Sequence, residues 1–293
     1  MDLKPRRSIE GGALKASIII PAHNEGEVVG ATVRSLTEHL DAEHLDYEVV
    51  VVDDGSSDAT AEVVGELALE DSRVRCLRND APHGFGYAVR RGLGAFVGDV
   101  AVIMMADGSD DPRDVVLYYR VLEAGYDCAF GSRFMPGAVV NGYPRFKRVV
   151  NRTVNFGIRL LFRHGYNDTT NAFKAYRRTV IDGIQPLVSP HFNLTVEMPL
   201  KAITRGFSYA IVPTSWTNRE VGESKLQLKE MGSRYLFIVL YVFLEHHLTR
   251  GDYRRRLEHD DAVARPRDIS IGDRRALLPL RPRLERSTRI RRG

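Results

Sequence analysis

Cysteine is scarce: Cys76 and Cys128 are the only two in 293 residues. Two thiols cannot supply a disulfide framework or a cysteine-rich zinc site, so a reducing, cytoplasmic setting is expected. Long apolar runs are missing as well. The longest, residues 235–244, would extend about 15 Å as a helix, against a hydrocarbon core of about 30 Å. It is too short to span a bilayer. The first residues carry Lys4, Arg6 and Arg7, and no apolar stretch of signal-peptide length precedes the first strand pattern. Glycines are absent where a dinucleotide fingerprint needs them. The first apolar run leads into Pro21-Ala22-His23-Asn24-Glu25, and Gly84-x-Gly86 has Val89 where the third glycine belongs. A Walker A loop is also lacking. Dehydrogenases of the common type and P-loop enzymes are therefore excluded.

What is present suffices for a sizeable core: 43% of residues are hydrophobic and 9% aromatic. The net charge of +4 hides a division. Residues 250–293 carry 14 Arg against 7 Asp and Glu, a net +7, which leaves residues 1–249 at −3. A nucleic-acid partner is not expected, because the positive charge lies in this terminal stretch and the acidic strand ends would repel phosphate. With Pro266, Pro279 and Pro282 and no periodicity, residues 250–293 read as a basic, disordered tail.

Apolar runs at 17–22 and 49–52 read as strands buried on both faces, each followed by polar punctuation and a helix-period segment, at 26–40 and 58–70. Further runs lie at 100–105 and 128–130. Strands alternating with helices predict a mostly parallel α/β sheet with right-handed crossovers, whose ligands bind at the carboxyl ends of the strands. From about residue 143 the pattern turns helical. Val150, Val154, Ile158 and Leu161 recur at helical spacing, with Arg148, Arg152 and Arg159 among them, an amphipathic helix with a basic component. Residues 226–248 predict a second such helix.

The polar clusters sit where a ligand would bind. Strand one ends at Pro21-Ala22-His23-Asn24-Glu25 and strand two at Val52-Asp53-Asp54-Gly55-Ser56-Ser57-Asp58. Each alone is ordinary turn and cap chemistry; together in one βαβ unit they favour a nucleotide pocket. Strand three ends at Met105-Ala106-Asp107-Gly108-Ser109-Asp110-Asp111-Pro112. Carboxylates this crowded repel one another unless a cation compensates, and hard oxygen ligands shared with phosphate are the usual seat of Mg2+ or Mn2+.

These segments, followed by Gly131-Ser132-Arg133, Asp168-Thr169-Thr170-Asn171-Ala172-Phe173, Glu197 and Arg219-Glu220-Val221-Gly222-Glu223-Ser224-Lys225, occur in the order seen in family 2 glycosyltransferases. The chain resembles that family from about Lys15 to Leu248, and within it the polyprenol- or dolichol-phosphate mannosyltransferase branch. The resemblance implies a GT-A (Rossmann-like) domain over 15–230, preceded by a 1–14 extension and followed by an interfacial amphipathic helix at 231–249 and the basic tail. It implies that Pro21, His23, Glu25, Val52 and Asp54 surround the nucleotide base and ribose. Ala106, Asp107 and Ser109 would lie at the pyrophosphate, with Asp107 and Ser109 at a Mg2+ or Mn2+. Arg133, Lys147, Arg219 and Lys225 would bind phosphates. Asp107, Arg133 and Glu197 are the expected catalytic residues, Glu197 standing where relatives with hydroxyl acceptors place a base.

The expected reaction is inverting transfer from a nucleotide-sugar, GDP-mannose by resemblance, to a polyprenyl or dolichyl phosphate. The enzyme would work peripherally at the membrane surface, with room for a membrane-anchored partner subunit. A UDP-sugar donor, a hydroxyl acceptor and non-catalytic nucleotide-sugar binding remain alternatives. One departure bears on the metal: the family's Asp-x-Asp begins here with Met105.

Overall fold

The computed structural model describes residues 14–218, 228–249, 251–253 and 269–270. Strand and helix alternate through β1 (Lys15–Ala22), α1 (Val29–Ala42), β2 (Asp46–Asp53), α2 (Thr60–Glu70), β3 (Val74–Arg78), α3 (Phe85–Leu93) and β4 (Val100–Ile103). The chain continues through α4 (Pro112–Glu123), β5 (Cys128–Ser132), β6 (Val139–Asn141) and the long α5 (Arg145–Phe162). It closes with β7 (Lys174–Arg177), α6 (Arg178–Gly183), α7 (Leu194–Thr204), β8 (Tyr209–Pro213), β9 (Ser215–Thr217), α8 (Leu228–Leu248) and the two-residue β10 (Ile269–Ser270).

The main sheet runs β10-β8-β5-β7-β4-β1-β2-β3 and is parallel except at β7, which is antiparallel to both β4 and β5. The continuous apolar runs of β1 and β2 are explained by what covers them. Ile18, Ile20, Val49 and Val51 face one core, filled by Val33, Leu36 and Leu40 of α1 and by Val115 and Leu122 of α4. Ile19, Val50 and Val52 face the other, with Val89 of α3, Ile181 of α6 and Met198 of α7. Each such side chain contributes about 1.5–3 kcal/mol by leaving water. Helix α3 approaches β1 closely at Gly92, where a Cβ would stand 2.5 Å from Ile19 Cγ2.

The fourth expected strand runs on to Ser132, while the third stops at Ile103, because the Met105 N–H turns to the Asp110 carboxylate instead of a neighbouring strand. Within the stretch expected to be an unstructured tail, Ile269 and Ser270 pair in parallel with Ala210 and Ile211.

A third core joins α5, α7 and α8 through Ile158, Val196, Leu200, Ile238, Val239 and Val242. The outer sides of α5 and α8 remain apolar and exposed, at Phe146, Val149, Phe156 and Leu160 on one and Phe237, Leu240, Leu244 and Leu248 on the other. A groove of about 680 Å³ between these helices is lined by Leu160, Leu161, Phe162, Phe243 and His247 among others, and shares no lining residue with the strand-end clusters. No helix among the described residues is long and apolar enough to cross a membrane.

Candidate active site at the carboxyl edge of the sheet

The β1–β2 register pairs Ala22 with Asp53, so the two strands end side by side. Their loops are tied by local polar chemistry. Asn24, in the left-handed region at φ 55°, takes the Ser57 N–H on Oδ1 (2.8 Å) and donates its own N–H to Ser56 Oγ (3.0 Å). The Glu25 N–H reaches Thr60 Oγ1 and the Gly26 N–H reaches Asp58. Asp53 accepts from the Ser56 N–H. The buried Asp54 turns away from the β1 loop toward the next crossover. Its Oδ1 accepts from Asn79 Nδ2 (2.7 Å) and lies 3.3 Å from His83 Nδ1, and its Oδ2 accepts the Gly84 N–H at 2.7 Å. His23 Nδ1 sits 2.9 Å from the Asp54 carbonyl.

Of the residues expected around base and ribose, His23 and Glu25 reach solvent. Pro21 is buried, and Val52 is wholly buried in the second core, so it can offer a ligand only its backbone. Asp54 has both oxygens engaged by the chain and shapes the 79–84 loop.

The turn after β4 sorts its carboxylates by direction. Asp107 is half-buried at the crevice and accepts the Ser109 N–H at 3.1 Å. Gly108 takes φ +69°, a conformation that favours glycine. Asp111 is withdrawn: it caps α4 through the Arg113 N–H and pairs with the Arg113 guanidinium at 2.5 Å. Asp114, fully buried, accepts from Thr214 Oγ1 and the Ser215 N–H. Asp110 is buried and accepts from the Met105 N–H at 3.0 Å. Burial above all, with Asp107 and Asp114 adding negative charge, pushes Asp110 up to about 7, while the Met105 N–H and Arg133 oppose the rise. Ala106 is buried in the first core, and its carbonyl is held by Thr32 Oγ1 at 3.0 Å.

Arg133 enters from the end of β5. It donates Nε, Nη2 and its backbone N–H to the Asp168 carboxylate at 2.8–2.9 Å, with Arg133 10% exposed and Asp168 not at all. Burial works against its charge, but the Asp168 carboxylate outweighs that and raises its hold on the proton. Fork-on-fork pairing of this kind fixes the plane of the guanidinium. Asp168 lies within the family-like 168–173 segment without being among the expected site residues. Its only signal is spatial, since 35 residues separate it from Arg133. Beneath the pair lies the buried Lys174, whose ammonium donates to the carbonyls of Thr169, Asn171 and Thr195. Burial lowers it to about 7 against the pull of Asp168.

Lys147 lies half-buried on α5. Glu197 presents no exposed atom to this crevice. It is fully buried in α7, accepts the N–H groups of Val188 and Ser189 at 2.8 Å and pairs with Lys201 at 2.8 Å. A carboxylate so enclosed holds the 188–193 loop and has no open oxygen for a substrate hydroxyl. Arg219 and Lys225 lie outside the described residues.

Among the described residues no three His, Cys, Asp or Glu side chains converge on one point. The donor set fits a divalent cation of the shared kind. Asp107, half-buried at the turn, and Ser109, buried beside it, would supply hard oxygens, and Mg2+ is commonly held by one or two carboxylates together with substrate phosphates.

A mostly parallel sheet with an acidic turn at its carboxyl edge and a basic group facing that turn defines a GT-A-type α/β protein. Glucosyl-3-phosphoglycerate synthase from Mycobacterium tuberculosis, solved in complex with Mn2+, uridine diphosphate and glucosyl-3-phosphoglycerate, shares this fold. Its TM-score is 0.59 at 20% identity, over 80% of both chains. Polyprenol monophosphomannose synthase of Mycolicibacterium smegmatis is 35% identical over 220 residues, 71% of this chain and 80% of its own length. Glycosyltransferase AglD of Haloferax volcanii is 34% identical over 231 residues, 76% of this chain and 36% of that longer protein. Residues 17–184 match the model of glycosyl transferase family 2, and the chain belongs to that family.

Proposed function

We propose that the enzyme moves a sugar, with inversion, from a nucleoside-diphosphate donor to a polyprenyl phosphate at a membrane surface. The observation that carries this reading is the placement of the acidic turn, Asp107 to Asp110, after β4 in the same sheet as Arg133 at the end of β5, the guanidinium held in place by Asp168. A phosphate monoester is largely dianionic near pH 7, so as nucleophile it needs little help from a general base. That agrees with an enclosed Glu197. An acceptor phosphate oxygen forms the new bond to the anomeric carbon while the bond from that carbon to the donor's diphosphate breaks. The electron pair leaves with the nucleoside diphosphate.

Asp107 and Ser109 would hold Mg2+ or Mn2+, which when bound supplies positive charge to the diphosphate. Arg133 and Lys147 orient phosphate groups, with Arg219 and Lys225 assigned the same task by family resemblance. His23 and Glu25 border the nucleoside, and Pro21, Val52 and Ala106 contribute backbone and shape. Asp54 and Glu197 position loops. GDP-mannose is the preferred donor, on the likeness to the polyprenol monophosphomannose synthase. A UDP-sugar is the second reading, supported by the fold neighbour's bound uridine diphosphate and Mn2+.

The test is a donor screen with polyprenyl phosphate. Labelled sugar should appear in the lipid phase from one donor and depend on divalent metal; transfer only to water-soluble acceptors would overturn the lipid reading.

Action at the surface is supported by the exposed apolar sides of α5 and α8 beside Arg148, Arg152 and Arg159. Each such cation near an anionic surface contributes about 1 kcal/mol. Flotation with vesicles containing anionic lipid should carry the protein upward; absence of flotation would remove the membrane from the proposal. A membrane-anchored partner subunit remains part of this proposal, and co-purification from detergent extracts is its check.

A further inference from the structure

Three aromatic rings stand half-buried between the acidic turn and α5, and neither the metal nor the nucleotide accounts for them. Trp216 is on β9, which pairs in parallel with β6, Val140 opposite Trp216. The same β9 is fastened to the acidic turn, because Trp216 bridges Asp110 and the Thr217 N–H reaches the Ser109 carbonyl at 3.0 Å. Tyr143 meets Trp216 edge to face at 5.1 Å, and Phe134 meets Tyr143 edge to face at 6.4 Å. Two guanidinium groups lie against these rings. Arg133 is 5.5 Å from the centre of Tyr143 and 5.7 Å from that of Phe134, and Arg152 is 5.8 Å from Phe134. The Tyr143 hydroxyl is pinned by Asn151 Nδ2 of α5 at 2.8 Å.

Large aromatic rings normally withdraw into the core. Here they stay at the surface in a row that starts at the cation-seeking turn and ends on α5. Farther along, that helix carries Phe156 and Leu160, 65% and 71% exposed. A guanidinium lying on a ring face can keep edge N–H groups for an anion; for Arg133 the Nε–Nη2 edge is held by Asp168, which leaves Nη1. The row therefore alternates π surface with anion-binding edges, which complements a ligand carrying a phosphate at one end and an unsaturated hydrocarbon at the other. A sugar would meet one ring; it would not need a path of rings running to an exposed apolar helix.

We infer that Phe134, Tyr143 and Trp216 form a collar that receives the first isoprene units of the acceptor, with Trp216 the residue that distinguishes a prenyl phosphate from a phosphate lacking a hydrocarbon chain. This rests on the lipid-phosphate reading of the site. The collar accounts for selectivity, since phosphate-binding groups alone would accept any phosphate monoester. It also places the prenyl phosphate's head toward Asp107 and its chain toward the face carrying the apolar sides of α5.

The experiment compares wild type with Trp216→Ala and Trp216→Phe. Acceptors are geranyl phosphate, a longer polyprenyl phosphate and glycerol 3-phosphate; binding of the nucleoside diphosphate with Mn2+ is measured in parallel. In Trp216→Ala, KM for both prenyl phosphates should rise at least tenfold with kcat within about threefold, and nucleotide affinity should hold within about twofold. Trp216→Phe should recover most of the loss. Transfer to glycerol 3-phosphate should fall by much less than transfer to either prenyl phosphate. Where Trp216→Ala does not fold, Tyr143→Leu carries the same expectation.

An unchanged KM for prenyl phosphates would overturn the collar while leaving the lipid reading intact. An equal loss of nucleotide affinity would overturn it too, by assigning the rings to the donor. Failure of wild type to use any prenyl phosphate would overturn the reading of the acceptor, and the collar with it, before a variant is made.

Discussion

The ends of β2 and β4 each bury an aspartate, and the two are supplied very differently. Asp54 receives Asn79 and the Gly84 N–H, with His83 alongside. Asp110 receives the Met105 N–H, in a turn already carrying Asp107, and is pushed up to about 7 chiefly by burial. A carboxylate with several donors belongs to the frame. One left short of positive charge beside a more open carboxylate marks where the frame ends and a cation is expected.

Three substitutions break or sharpen that contrast. Asp107→Ala should act most strongly, lowering transfer about a hundredfold while the melting temperature stays close to wild type. Near-normal turnover in steady-state assays would take Asp107 out of the mechanism. Asp54→Ala should instead cost stability, about 2 kcal/mol from orphaned donors. Removal of charge at the undersupplied position, by Asp110→Asn, should leave the metal-free protein as stable as wild type or more so. Chemical denaturation of the two variants side by side reads the difference, and equal destabilisation would erase the distinction.

The smallest effect concerns Lys174, lowered to about 7 by burial, with Asp168 and Asp110 opposing and Arg133 adding to the shift. A depressed lysine contributes stability at high pH that is lost as pH falls from its unfolded value toward its folded one, at about 1.4 kcal/mol per pH unit. Between pH 9 and pH 8, wild type should therefore lose about 1 kcal/mol relative to Lys174→Met. Parallel pH profiles for the two proteins would show that Lys174 keeps its ordinary proton affinity.

The same contrast explains what could be read from sequence. Strands β1, β2, β4 and β5 are legible because burial on both faces leaves an unbroken apolar run. Strand β3 is an edge, with Val74 buried and Arg75 and Arg78 interrupting it, so it carries no such run. Strand β7 reads Lys-Ala-Tyr-Arg and looks like surface, yet it is inserted antiparallel between β4 and β5, and Lys174 is buried because three carbonyls receive its ammonium. No local pattern announces a strand that comes from 70 residues downstream of its neighbour.

The acidic turn was legible as a cluster, but the roles within it were not. Cap formation by Asp111 depends on Arg113, and the state of Asp110 depends on a tertiary environment. For Arg133 the type of chemistry was readable from charge and order; its clamp, Asp168, was not, because the pairing is made only by the fold. Glu197 shows the reverse case. Position in the family pattern suggested a base, and packing against Lys201 and the 188–189 backbone encloses it.

The most direct measurement is calorimetric titration of wild type with the preferred nucleoside diphosphate, with and without Mn2+. The account predicts that the metal tightens binding at least tenfold, because cation and diphosphate share the Asp107 turn. Binding of equal strength with and without the metal would contradict it.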